Sequence, residues 1–339
     1  MRGIDEQRVT QWFVDHVDGC VPPLAFSVIA GGHSNLTFRV ADAAGRQFVL
    51  RRPPLGHVLA TAHDMSREHR LISAVGQTSV PVPHALGLCT DIEVNDAPFY
   101  VMDFVNGIVL DTVEKAADVS VEARHRLGFN LIDVLADLHA IDVDEVGLGN
   151  LAKREGYVER QIKRWSGQWD MSKTRELPAV EEVRDRLSAN VPLQQSVSIA
   201  HGDYRLGNCL IDPIAGRLNA VLDWELSTLG DPLADVGYLG VYWSDDGAPS
   251  MRLGDATGAG GFPTYDELVH RYSLRTGRDC SNINYYKAFS AWRLSVISEG
   301  VLARYLHGQM ANDDPEVIAS FRAGAEQLAE EALTLLRRS

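Results

Sequence analysis

The sequence predicts a bilobal α+β fold: a small β-rich N-lobe, a larger α-rich C-lobe and an active site between them. Three observations carry this. Strand-like runs and turn residues dominate up to about residue 105. Helical spacing of apolar residues dominates after it. One polar hairpin, "HGDYRLGNCLIDPIAGRLNAVLDWE" (201–225), interrupts the helical part. The expected organisation is residues 1–105 as the N-lobe, a sheet plus one helix. Residues 106–339 form the C-lobe, mainly helical, around the hairpin at 200–225. A chain of 339 residues is long for one core, which also favours two lobes.

Each element follows in order. "MRGIDEQRVTQWFVDHV" reads as an amphipathic helix; its acids and broken apolar pattern exclude a secretory signal. Residues 24–52 hold two β-rich runs around Gly31-Gly32, a polar turn near Ala43-Ala44-Gly45, and a third run, FVLR. Pro53-Pro54 ends that run. A helix is expected over roughly 64–75, with Met65, Leu71, Ile72 and Val75 on one face and Glu68 off it. Residues 80–105 are strand-rich, and Gly107 breaks the pattern. Leu127, Leu131, Leu135 and Leu138 then mark a helix over 122–140, with His139 at its end. A second long helical stretch covers about 153–188. Further helical segments are expected around 233–244, 264–276, 284–306 and 314–337.

Composition excludes several classes. The 45% hydrophobic and 23% charged content is ordinary for a globular protein. No apolar run reaches the roughly 18–20 residues of a membrane helix. The net charge of -14 repels nucleic acid and anionic membranes, so neither is an expected partner. Cys20, Cys89, Cys209 and Cys280 form no C-x-x-C pair, which disfavours a zinc site and suits reduced thiols in the cytoplasm. Cys209 is expected in the core. Residues 151–175 depart from the overall charge: seven bases (Lys153, Arg154, Arg160, Lys163, Arg164, Lys173, Arg175) stand against three acids (Glu155, Glu159, Asp170). Tyr157, Trp165 and Trp169 lie in the same stretch and are candidates for stacking on a flat ring.

The hairpin carries the chemistry. The runs CLID (209–212) and LNAVL (218–222) are joined by a Pro213–Gly216 turn. Asp203 precedes the first strand, Asn208 stands at its entrance and Asp223 follows the second, so all three can converge at one end. A carboxylate plus an amide oxygen suits Mg²⁺, a hard cation that keeps waters and binds substrate phosphates. The remaining acid, Asp203, is then placed to accept a proton from a hydroxyl.

This spacing resembles the protein-kinase catalytic loop, H-x-D-x-x-x-x-N, followed by the Asp of the next motif. Here it reads His201-Gly202-Asp203…Asn208, then Asp223-Trp224-Glu225. The Gly after His, the D-W-E variant and "GDPLAD" (230–235) resemble the aminoglycoside phosphotransferase and choline kinase branch of the kinase-like fold. The resemblance implies a nucleotide-binding N-lobe, a catalytic hairpin at 200–225 and acceptor-binding helices in the C-lobe, with ATP and Mg²⁺ as cofactors, Asp203 as catalytic base, and Asn208 and Asp223 as metal ligands. His201, Asp231 and Asp235 become structural supports, with Asp235 bonded to the catalytic-loop backbone. Glu225 is a weaker candidate for assisting metal or substrate. "FVLR" resembles the V-A-I-K strand with Arg51 in place of Lys, a departure, since a planar guanidinium is not an ammonium. Arg52 is disfavoured because side chains alternate along a strand. Glu68 would pair with Arg51. "YVMDFVNG" (100–107) resembles the inter-lobe hinge, with Met102 as gatekeeper and Asp103 and Val105 offering backbone groups to adenine. "GGHSN" (31–35) sits where a phosphate-covering loop belongs, with Ser34 and Asn35 as phosphate contacts.

More closely, "LRRPPLG", "AHDMSREHRL", "GDYRLGN" and "DWELSTLGDPLADVGYL" resemble the kinase-like domain attached to acyl-CoA dehydrogenases of the family-10 and family-11 type. That resemblance implies a hydroxyacyl substrate, such as a 4-hydroxyacyl-CoA, whose anionic tail would suit the basic stretch. The alternatives are an aminoglycoside kinase and a non-catalytic nucleotide-binding pseudokinase. The expected partner is therefore a small-molecule hydroxyl acceptor, which the closer resemblance implies is a CoA ester; the sequence assigns no oligomeric state.

Overall fold

The computed structural model describes residues 1–29, 35–55, 64–245, 255–310 and 314–337. Alternation along the first half builds one sheet. Its strands are β1 (Ala25–Val28), β2 (Leu36–Ala41), β3 (Gln47–Arg52), β4 (Ala85–Cys89) and β5 (Phe99–Asp103). They run antiparallel in the order β1-β2-β3-β5-β4. Phe38, Val40, Phe48, Leu50, Phe99 and Val101 point to one face, where helix α1 (Glu6–His16) covers them with Val9, Trp12 and Phe13. Asp5 caps that helix by accepting the Arg8 amide at 3.0 Å.

The opposite face carries Val49, Tyr100 and Met102, which join a second and larger core. Register sets the neighbours: Val49 lies opposite Met102 and Arg51 opposite Tyr100. Arg52, one residue on, turns to the α1 side and donates to the carbonyls of Gly3 (2.6 Å) and Asn95 (3.3 Å). Helix α2 (Met65–Val75) packs on the Tyr100 face. Glu68 was expected off its apolar face; it is instead 2% exposed among Met65, Leu71 and Ile72. At helical spacing it shares their side, so only its pairing allows it there. The short helix α3 (Ile92–Asn95) lies in the β4–β5 connection.

Helices then dominate: α4 (Val113–Ala117), α5 (Val121–Ala140), α6 (Tyr157–Ser172) and α7 (Pro178–Ala189). The stretch read as continuous over 153–188 is therefore two helices. Lys173 leaves helical geometry (φ -60°, ψ 131°), and Pro178 opens α7 where its missing N–H costs nothing. Two short antiparallel pairs follow, β6 (Ser198–Ala200) with β9 (Thr228–Gly230) and β7 (Cys209–Asp212) with β8 (Arg217–Val221). The β7–β8 turn is held by Asp212, whose side chain accepts from the amides of Ile214 (3.0 Å) and Ala215 (2.9 Å). Helices α8 (Leu233–Val241), α9 (Tyr265–Thr276), α10 (Ile283–Leu306) and α11 (Pro315–Leu336) complete the chain. Cys209 is fully buried, as its apolar neighbours require. Among the described residues, no helix is long and apolar enough to cross a membrane.

Helix α8 meets α10 so closely that a side chain at Gly237 would collide with the Tyr286 backbone. Gly237→Ala should therefore lower stability by about 1–3 kcal/mol in urea unfolding. Gly324, inside α11 with nothing within 4 Å of its missing Cβ, should behave oppositely. Gly324→Ala is expected to add about 0.5–1 kcal/mol through helix propensity. Equal effects at both positions would refute this packing.

Candidate active site

The loop ahead of β7 is shaped by one buried carboxylate. Asp235 on α8 accepts the backbone amides of His201 (2.6 Å, Oδ2) and Gly202 (2.8 Å, Oδ1). His139, in the last turn of α5, faces the same Oδ2 at 3.2 Å, and its Nδ1 takes the Tyr272 hydroxyl at 2.8 Å. The expected helix-ending residue is thus a fully buried strut. Burial pulls the His139 imidazole below its usual range. Burial also works against the Asp235 charge, but the His139 hydrogen bond and surrounding donors hold its carboxyl below the usual range. His201 braces the same loop: Nε2 donates to the Leu222 carbonyl (2.9 Å), and Nδ1 faces the Asp203 amide (3.3 Å). Asp231 plays a parallel part at the start of α8, accepting from the Leu233 amide (3.0 Å) and the Tyr286 hydroxyl (2.8 Å). Burial raises its carboxyl.

That bracing presents Asp203 and Asn208 together. Asn208 Nδ2 donates to Asp203 Oδ2 (2.6 Å) and to the Asp203 carbonyl (2.8 Å), which leaves the Asn208 amide oxygen for another partner. Two residues that the sequence reading passed over complete the surroundings. Tyr238 donates its hydroxyl to Asp203 Oδ1 at 2.6 Å, and Arg205 Nε donates to the same oxygen at 3.3 Å. Tyr238 lies three residues past Asp235 on α8, so helical spacing was the signal that could have found it.

Asp223 reaches the same region from the end of β8. The Leu222 amide bonds the Asn208 carbonyl at 2.8 Å, which brings the two segments side by side. Asp223 has φ 65° and ψ 65°. Among the described non-glycine residues only it and Asp96 have positive φ. Such a conformation costs about 1–2 kcal/mol and persists where surrounding contacts enforce it.

The cation expected at this point is Arg51. Its Nη2 lies 2.5 Å from Asp223 and 3.5 Å from Glu225, while Nε lies 3.1 Å from Glu68 without the alignment of a hydrogen bond. Tyr100 donates to Glu68 at 3.0 Å. Burial pushes the Glu68 carboxyl up to about 7, against the pull of Arg51. Arg51 stays charged: burial opposes this, but Tyr100, Glu68 and Asp223 together push its pKa upward. One guanidinium thus faces three acidic side chains.

Asn35 is placed differently from its expected phosphate contact. Its amide donates to Glu68 (3.0 Å) and Glu225 (3.0 Å), and the side chain is buried. Both amide protons are therefore committed to carboxylates. Ser34, with Gly31, Gly32 and His33, lies outside the described residues. Met102, Asp103 and Val105 border a cleft of about 500 Å³ that Arg51, Asn208 and Asp223 also line. Its remaining walls include Val49, Ile72, Tyr100, Leu210 and Trp224, an apolar slot with polar groups at one end. The Asp103 amide is taken by the His84 carbonyl at 2.9 Å, so only its carbonyl remains to offer.

The basic stretch differs from expectation. Tyr157 and Trp169 are 3% and 1% exposed, buried on the inner side of α6, so neither can stack on a ligand. Of its bases, Arg154 pairs with Asp144, Lys173 with Glu176 and Glu181, and Arg175 with Glu299. The amphipathic spacing that buries the aromatics also sends Lys163 and Arg164 to solvent.

The Asp235–His139 pair makes stability depend on pH. A chain that unfolds lets His139 take a proton at its ordinary pKa near 6.5, which the folded state resists. Its contribution is thus intact above about pH 6.5 and is lost as pH falls below that value. Urea unfolding from pH 7.5 to 5 should show this decline, and His139→Gln should flatten it. An unchanged slope in the variant would remove His139 as the cause.

Similar proteins carry the same arrangement of sheet, loop and helices. A structure from Ralstonia eutropha, described as a candidate aminoglycoside phosphotransferase, superposes with a TM-score of 0.84 at 33% identity, covering 98% of each chain. Choline kinase from Cryptosporidium parvum superposes with a TM-score of 0.69 at 13% identity over 98% of this chain and 97% of that one. That likeness shows a kinase-like fold. Acyl-CoA dehydrogenase family member 10 from Mus musculus is 36% identical over 288 residues, covering 83% of this chain and 26% of that protein. Family member 11 from Gallus gallus is 34% identical over 316 residues, covering 91% and 40%. The chain therefore spans between a quarter and two-fifths of these relatives' length. The model of the phosphotransferase enzyme family matches residues 25–268, and the chain belongs to that family.

Proposed function

We propose that this chain transfers the γ-phosphoryl group of ATP to a hydroxyl of a small metabolite, with Mg²⁺. The carrying observation is that Arg51, Asn208 and Asp223 line the polar end of one apolar cleft, with Asp203 held beside it by the Asn208 amide. The adenine would enter between Val49, Met102 and Leu210, with the Asp103 carbonyl and Val105 backbone at its edge. Arg51, oriented by Glu68, would meet the phosphates at that cleft's polar end. Asp203 would orient the acceptor hydroxyl and take its proton as the phosphorus–oxygen bond forms.

The donor set fits Mg²⁺. The Asn208 amide oxygen and the Asp223 carboxylate are hard oxygen donors bordering one cleft. Among the described residues, no three His, Cys, Asp or Glu form a metal cage. That matches an ion held by two protein oxygens plus phosphates and water. When bound, Mg²⁺ offsets charge on the phosphates during transfer. Mg²⁺ with ADP should raise the melting temperature, and Asp223→Asn should abolish the part of that shift that needs the metal. A metal-dependent shift that survives would remove Asp223 as a ligand.

As acceptor we propose a hydroxyacyl group carried by CoA: the relatives named acyl-CoA dehydrogenases support the CoA ester, and the hydroxyl is what phosphoryl transfer needs. The test is ADP release from MgATP with a 4-hydroxyacyl-CoA or with a kanamycin-type aminoglycoside. Release is expected with the CoA ester, falling by about 10²–10⁴-fold in Asp203→Asn with MgATP binding retained. Release with the aminoglycoside alone would overturn the acceptor. Nucleotide binding without turnover over a broad hydroxyl panel would overturn catalysis itself and leave a pseudokinase.

A further inference from the structure

We propose that Arg205 forms an anion-binding subsite for the acceptor, holding an oxyanion of that molecule while its hydroxyl faces Asp203. This rests on Asp203 being the acceptor base, and it defines what else the acceptor must carry.

Arg205 is built into place on three sides. Its Nε donates to Asp203 Oδ1 at 3.3 Å. Its guanidinium lies over the Tyr242 ring, 5.3 Å from the centroid. A side chain at Gly207 would collide with Arg205 Nη1, so the guanidinium occupies the room that this glycine leaves. The two Nη groups make no hydrogen bond or ion pair with any other described residue, and the side chain keeps 23% exposure. A positioned guanidinium with its fork unused matches the geometry of a carboxylate or phosphate, which it can bind through two parallel N–H groups.

The neighbouring groups leave that fork open. Asp203 is the carboxylate that pairs with Arg205, and a second guanidinium lies behind it. Arg293 is buried, lies over the Tyr238 ring at 4.5 Å and donates to the Gly202 carbonyl at 2.6 Å. Of the nearby acids, Asp111, which borders the same space at Gly207, is paired with Lys115, and the hydrogen-bonding oxygens of Asp235 are filled by His139 and two backbone amides. Arg205 and Arg293 thus balance the charges of Asp203 and Asp235, and no described acid beside Arg205 other than Asp203 takes up its fork. An acceptor with an oxyanion near its hydroxyl would gain that open fork as a partner, which a polycationic acceptor would not. In a free hydroxy acid that oxyanion is the carboxylate; in a CoA ester the acyl carboxylate is a neutral thioester, and a CoA phosphate would reach the fork only if the pantetheine arm folds back.

The test is calorimetric titration of the full chain loaded with MgADP. The probes are 4-hydroxypentanoate, 4-hydroxypentanoyl-CoA and neutral 1,4-pentanediol. Wild type should bind at least one anionic probe about ten- to hundred-fold more tightly than the diol, the range expected for a charged hydrogen-bonded contact. Arg205→Gln should erase that preference, with MgADP affinity unchanged, and Arg205→Lys should restore part of it by charge without the fork. The anionic probe that weakens identifies the source of the oxyanion. Absence of an anion preference in wild type, or its survival in Arg205→Gln, would overturn the subsite. An intact subsite in a chain whose Asp203→Asn variant still transfers phosphate would instead sink the role of Asp203.

Discussion

The arrangement hangs on a carboxylate that never meets solvent. Asp235 is 1% exposed, and its two oxygens are filled by the amides of His201 and Gly202 and by the His139 imidazole. An unpaired charge there would be very costly, so the carboxylate demands those donors in place. In meeting that demand the loop acquires its shape, and Asp203 and Asn208 acquire their direction. The anchoring is redundant: Tyr204 reaches the Leu131 carbonyl at 2.8 Å and Ser227 the His201 carbonyl at 3.1 Å. Helices α5 and α8 thus fix a segment that has almost no regular structure of its own.

A second set of charges ties the sheet to this platform. Arg51 comes from β3, Glu68 from α2, and Asp223 and Glu225 from the segment after β8. Arg67 adds to the tie by donating to the carbonyls of Leu151 (3.1 Å) and Ser227 (2.7 Å). Packing supports the same connection, because one face of the sheet belongs to the core that runs through the helical part. Electrostatics and burial therefore act on the same elements, and the cleft lies where they meet.

Much of this was legible in the sequence, for physical reasons. Strand alternation separated Arg51 from Arg52, and the spacing of Asp203, Asn208 and Asp223 around a short hairpin brought them together. Local patterns of that kind are written over a few residues. What was missed depends on contacts between distant segments. Glu68 was paired with Arg51 only through the family resemblance; its burial beneath Tyr100 is a contact that its own helix does not reveal. Tyr238 and Arg205 acquire meaning only once α8 is folded onto the loop. The β6–β9 pair is three residues a strand, too short for a period, and its partners are about thirty residues apart in sequence. The break between α6 and α7 was marked by Pro178, but the apolar spacing on either side concealed it.

The opposed faces of β3 also bear on how sequences of this kind are lined up. Two adjacent arginines look interchangeable in a row of letters, yet one belongs to the cleft and its neighbour to the scaffold that clasps Gly3 and Asn95. A gap misplaced by one residue in the β2–β3 turn would exchange them, with every side chain of the strand moved to the wrong face. Phe48 and Leu50, bound to the α1 side, supply the ruler that prevents the slip. A relative with a lysine in the first of these two columns keeps the cleft's charge in another shape; one with a lysine in the second has altered only a strut.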